Sequence, residues 1–67
     1  LSQVWRLTAR QREVLVYVAK GMTSKEAAKA LGLEHATVEM HRRKIFSRLG
    51  ITRATEMAVL AAKAGLA

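Results

Sequence analysis

Neither cysteine nor proline occurs among the 67 residues, and each absence removes a class of structure. Without thiols there is no disulfide framework and no thiolate zinc site, and the two histidines lack acidic neighbours at ligand spacing. No metal or cofactor is therefore expected. Without proline, and with only four glycines among abundant Ala, Leu, Lys, Arg and Glu, the composition favours an all-α chain over a sheet. Aromatics are equally scarce. Trp5, Tyr17 and Phe46 are too few for a single-strand binder that stacks successive bases, and are most simply core or core-edge residues.

Long apolar runs are missing too. Nothing approaches the ~20 residues that cross a bilayer, and the N-terminus lacks the basic-then-apolar layout of a signal peptide, so a cytoplasmic location without membrane contact is expected. The apolar residues serve several short helices, which disfavours one long membrane-surface stripe. Acids are few, five against twelve Lys and Arg, and form no spaced pair suited to acid–base catalysis. Ser24 has no histidine base in reach for nucleophilic chemistry, so the chain is not read as an enzyme. The excess of +7 attracts polyanions over a Debye length of roughly 8–10 Å. DNA, RNA and anionic membranes all satisfy that charge.

A chain of this length buries one small core, and no repeat or linker-like cluster divides it. Residues 1–67 are read as one domain, and a start at Leu1 instead of methionine makes a fragment of a longer protein the expectation. After a lead-in containing Val4, Trp5 and Leu7, a capping-box pattern, Thr8-Ala9-Arg10-Gln11, opens a helix over about 9–20 with Val14, Leu15, Val18 and Ala19 at helical spacing. Thr23-Ser24-Lys25-Glu26 opens a second over about 24–31, burying Ala27, Ala28 and Leu31, and Gly32 supplies its stop. The third runs over about 35–49 to Gly50. Ile51 is placed to plug the core, Thr52 to cap a fourth helix over about 53–64, and Gly65 to follow it. A glycine thus follows every helix.

On the third helix Val38, Ile45 and Leu49, with His41 or the Arg42 stem, line one face, and Ala36, Glu39, Met40, Arg43 and Ser47 line the opposite one. A short capped helix, a glycine break and a longer basic helix is the order of a helix-turn-helix, whose second helix must reach base edges while flanking cations hold phosphates. Arg43 can donate to guanine O6 and N7, Glu39 can accept from cytosine N4, and Met40 can pack on a thymine methyl. Arg42, Lys44 and Arg48 diverge around the helix and suit phosphates, as do Lys25, Arg10 and the Thr37 hydroxyl. His41 is expected to be packed or hydrogen-bonded. Glu39 and Arg43, one turn apart, are expected to pair in the free protein at roughly 0.3–0.5 kcal/mol. On the last helix Ala54, Met57, Ala58 and Ala61 form one stripe and Val59, Ala62 and Leu66 another, so a second surface is needed to cover it.

Three ordered blocks, Leu7-Thr8-x-Arg10-x-x-Glu13-Val14-Leu15, Gly21-x-x-x-Lys25-Glu26-Ala27-Ala28-x-x-Leu31 and Thr37-Val38-Glu39-x-His41-Arg42-x-Lys44-Ile45 with Leu49, resemble the LuxR-type helix-turn-helix domain, and within it the FixJ-like response regulators. The resemblance covers about residues 7–62. It implies a four-helix DNA-binding output domain of a bacterial transcriptional regulator, C-terminal to a regulatory domain. The third helix would enter the major groove of double-stranded DNA. The fourth would form a dimerisation contact through Val59, Ala62 and Leu66, a weak homodimer strengthened on DNA. At matching positions Lys25, Thr37, Arg42 and Lys44 would meet the backbone, and Glu39, Met40 and Arg43 the bases. Two positions depart from the family: Glu39 stands where many members have lysine, and Glu34 where serine is common. A carboxylate at 34 can still cap amides.

Two other readings fit parts of the same pattern. One is a helical protein-interaction module that docks through Val59, Ala62 and Leu66, with the charge serving solubility. The other is a sigma-factor-like promoter-recognition domain, which shares the helix-turn-helix but lacks an autonomous dimer contact.

Overall fold

The computed structural model describes residues 6–65, Ala54 by its backbone alone. Among them are four helices: α1 (Ala9–Ala19), α2 (Ser24–Leu31), α3 (His35–Leu49) and α4 (Ala54–Lys63). The expected bounds of α2 and α3 coincide with these, that of α1 runs one residue past its C-terminal end, and that of α4 exceeds it by one residue at each end. Val4, Trp5 and Leu66 lie outside the described residues.

The first two helices begin alike. Thr8 accepts from the Gln11 amide at 3.1 Å while the Thr8 amide donates to Gln11 Oε1 at 3.0 Å. Thr23 and Glu26 repeat the exchange at 3.1 and 2.8 Å. Each box satisfies two amides that the first turn leaves without a helical partner, and is worth about 1 kcal/mol. The starts of α3 and α4 differ from expectation. At α4 the residue flanking the helix is Arg53, not Thr52, and no side chain caps it; arginine has no acceptor oxygen to offer, and Thr52 stands one position too early. At α3 Glu34 occupies the flanking position without accepting a capping bond. Its side chain is one methylene longer than the aspartate that suits this position.

Gly32, at φ 70°, ends α2 in the left-handed region, where a Cβ is penalised. The Leu33 amide then donates to the Ala28 carbonyl at 2.8 Å, closing the sharp turn from which α3 departs. α1 packs chiefly on α4, and α2 on α3, with α1 also lying along α3. The shared core comprises Leu7, Val14, Leu15, Val18, Ala27, Ala28, Val38, Ile45, Leu49, Ile51, Met57 and Ala61, with Tyr17, Leu31 and Phe46 packed partly against it. Leu7 is fixed in part by Arg12, whose Nη1 donates to its carbonyl at 2.7 Å. Ala27 and Ala28 are small enough for the α2 and α3 backbones to approach closely, and this pair carries the candidate interface.

Candidate nucleic-acid interface

The periodicity of α3 sorts its residues into two faces. Val38 and Ile45 are fully buried and Leu49 nearly so, anchoring the helix on the core. Ala36, Met40, Arg43, Lys44, Ser47 and Arg48 are exposed, with Met40 at 37%. Met40 and Arg43 therefore stand on the solvent ridge, with Lys44 and Arg48 also outward. Thr37, in the first turn, is half-buried. Lys25 is exposed at the start of α2.

Arg42 is held differently from its cationic neighbours. It is half-buried, and its Nη1 donates to Ser24 Oγ at 2.9 Å. Ser24 opens α2 and is itself buried, 6% exposed, so this bond ties the start of α2, beside Lys25, to the middle of α3. Glu39 belongs to the same cluster and is half-buried, although the helical pattern placed it on the outer ridge. Hydrogen bonding from the Ser24 hydroxyl holds the Glu39 carboxyl below the usual carboxylate range; partial burial opposes the shift, and Arg42, His35 and Arg43 add to it through their charge. Ion-pair distance from Glu39 is reached by His35 Nε2, at 3.9 Å. The Glu39–Arg43 pair expected in the free protein is not formed; Arg43 is only a more distant electrostatic neighbour.

Other predicted positions lie elsewhere. Arg10 pairs with Glu13 at 3.4 Å, both exposed, an arrangement worth about 0–1 kcal/mol and readily given up. His41 is half-buried, its Nδ1 enclosed without a hydrogen-bond partner among the described residues; of the two options expected for it, packing is the one found. Val59, 53% exposed, and Ala62 are outward on α4, the helix that packs chiefly on α1. No helix among the described residues is long and apolar enough to cross a membrane.

Sequence reasoning passed over two polar residues of consequence. Ser24 looked like part of a capping pattern and is instead the hub between two helices. The role of Arg12, bridging to Leu7, left no trace in spacing. Only a crossing of helices brings Ser24 and Arg42, 18 residues apart, within reach.

Comparison with known proteins agrees with this architecture. Residues 6–61 match the family described as bacterial regulatory proteins, luxR family. The chain is 49% identical over 45 residues to the transcriptional regulatory protein TdiR of Thauera aromatica, covering 67% of this chain and 20% of that protein. It is 42% identical over 52 residues to the transcriptional regulatory protein UhpA of Escherichia coli (strain K12), covering 78% of this chain and 26% of the relative. It thus spans about a fifth to a quarter of the length of these relatives. With more than half of its residues inside the family match, four helices in the expected order and a glycine turn leading into a basic third helix, the chain belongs to the luxR family of bacterial regulatory proteins.

Proposed function

We propose that this domain binds double-stranded DNA sequence-specifically, as the output domain of a cytoplasmic bacterial transcription regulator, by laying the outer ridge of α3 in the major groove. The observation that carries this reading is the ridge itself: α3 is anchored by Val38, Ile45 and Leu49 while Met40, Arg43, Lys44 and Arg48 face solvent together. Arg43 is the guanine reader and Met40 the apolar contact to thymine. Lys25, Thr37, Arg42, Lys44 and Arg48, with Arg10 at the start of α1, hold phosphates. Glu39 stands beside the base readers and can accept from cytosine N4. The role is binding, not catalysis, and needs no cofactor.

In the longer protein an N-terminal regulatory domain controls this output, and Val59 and Ala62 of α4, with Leu66 beyond it in the sequence, supply a weak two-fold contact that aligned half-sites strengthen. Titration of the chain with a duplex selected from a random pool, at 50 and 200 mM salt, tests the reading. Tight binding that falls steeply with salt, on a two-fold symmetric consensus, is expected. Failure to bind any duplex, with capture of a protein partner through α4, would replace it with the interaction-module reading.

A further inference from the structure

Ser24 lies inside the capping box that opens α2, in which Thr23 Oγ1 accepts from the Glu26 amide at 3.1 Å and the Thr23 amide donates to Glu26 Oε1 at 2.8 Å. Its backbone therefore belongs to a closed first turn. The residue is buried, 6% exposed, and its Oγ accepts from Arg42 Nη1 at 2.9 Å where α2 crosses α3. That bond uses a lone pair, so it stands wherever the hydroxyl proton points. Of the three consecutive cations on α3, Arg42 is half-buried while Arg43 and Lys44 are exposed. A guanidinium carries five N–H groups in a fixed fork, so the bond to Ser24 leaves Arg42 with donors for a second, anionic acceptor.

We propose that Ser24 is a positioning residue, which holds the Arg42 guanidinium ready for one phosphate of the duplex and so sets affinity without itself binding DNA. This role rests on duplex binding by the domain and deepens it. An unheld arginine freezes several rotatable bonds when it meets a phosphate, whereas one already fixed by the protein has lost that freedom on folding. The same preparation is denied to Lys44 and Arg48, which stand exposed on α3. Because Ser24 is neutral, its contribution leaves a distinct trace. The slope of affinity against salt counts the phosphates that the protein neutralises, so Arg42 adds both affinity and slope, and Ser24 adds affinity alone.

The test measures binding of wild type, Ser24→Ala, Arg42→Gln and the Ser24→Ala/Arg42→Gln pair to the selected duplex and to random DNA, at several salt concentrations. Urea midpoints of the four proteins fix conditions under which each is folded. Ser24→Ala should weaken binding to both duplexes by about fivefold, the worth of ordering one long side chain, with the salt slope unchanged. Arg42→Gln should lower the slope by about one unit. In that background Ser24→Ala should have no further effect, since the group it prepares is gone.

Binding of folded Ser24→Ala at the wild-type level would overturn the proposal, leaving the bond a tie within the fold. Equal, additive losses in the double variant would overturn it too. So would an unchanged slope in Arg42→Gln, which would mean that Arg42 meets no phosphate, or a loss in Ser24→Ala confined to the selected duplex.

The Arg42 Nη–H resonances of the free chain report the contact without DNA. They should move toward those of a solvated arginine in Ser24→Ala, and unmoved resonances also overturn the proposal. If wild type binds no duplex, the functional reading fails and the role of Ser24 toward DNA with it. If wild type binds and the variants disobey the pattern above, only the positioning role falls.

Discussion

The two helix pairs of this domain are held together by different means. Where α1 meets α4, Val14, Leu15 and Val18 of α1 and Met57 and Ala61 of α4 are all buried in the shared core. Where α2 meets α3, the buried apolar residues of α2 are the small Ala27 and Ala28, with Leu31 only partly buried, and the Ser24–Arg42 bond adds a polar tie. Apolar burial is strong but non-directional, which suits a pair that only has to stay together. Hydrogen bonds weaken steeply as their geometry departs from ideal, which suits a pair whose mutual angle decides what the outer ridge can touch. Stability is thus concentrated in one pair and orientation in the other.

Truncation on the α1 side gives the largest expected effect. Leu15 is fully buried, and Leu15→Ala should cost about 2–5 kcal/mol in transfer and cavity terms. A domain of this size has only a few kcal/mol to lose, on the order of 0.05–0.15 per residue. Urea titration followed by circular dichroism should show a chain largely unfolded at room temperature. A loss below about 1 kcal/mol, well short of the range for such sites, would mean that the α1–α4 interior repacks and that stability is spread more evenly than the comparison holds.

On the α3 ridge the loss should appear in recognition alone. Arg43 is exposed, so Arg43→Ala should leave the urea midpoint nearly unchanged. It should cost about 1–3 kcal/mol on the preferred duplex, with little change on random DNA. Competition binding with the two duplexes measures both. An equal loss on each would make Arg43 a phosphate contact and move base reading elsewhere on the ridge.

How much of this was legible in the sequence depended on the range of the interaction. The bounds of α2 and α3, and both capping boxes, follow from residues at most a few positions apart: a hydroxyl, a Gln or Glu three places on, and a glycine where the chain must turn with positive φ. The buried and outward faces of α3 followed from the 3.6-residue period, and Val38, Ile45, Met40 and Arg43 fell where the period put them. Glu39 did not. Period alone assigns it to the ridge, where it is only half-buried with its side chain 44% exposed; the Ser24 hydroxyl of α2 holds its carboxyl below the usual range, and no spacing within α3 encodes where α2 crosses. Thr52 failed for a local reason: a hydroxyl near a helix start is a cap only at the flanking position, and the helix began one residue later than the threonine required. The base and phosphate roles of the ridge residues concern a partner, and the sequence speaks to them only through the chemistry each side chain can offer.

The smallest predicted effect separates the two pairs by pH. The folded protein holds the Glu39 carboxyl below its usual range, through Ser24 first and then the nearby positive charges. A carboxylate whose folded value lies below its unfolded value adds stability above the unfolded value, and loses that contribution as pH falls through the range down to the folded one. The contribution is therefore present at neutral pH and disappears on acidification. With the Glu39 side chain 44% exposed, solvent screens much of it, so the difference between wild type and Glu39→Gln should be small but directional. Urea midpoints of the two proteins, compared from pH 7 downward, should converge as the carboxylate protonates. The remaining acid sensitivity is common to both and cancels in the comparison. The α1–α4 interior contains no ionisable side chain among its buried residues, so Leu15→Val should lower the midpoint by the same amount at each pH. A gap between wild type and Glu39→Gln that stayed constant with pH would mean that the carboxylate gains nothing from folding, and the polar tie between α2 and α3 would then reduce to Ser24 and Arg42 alone.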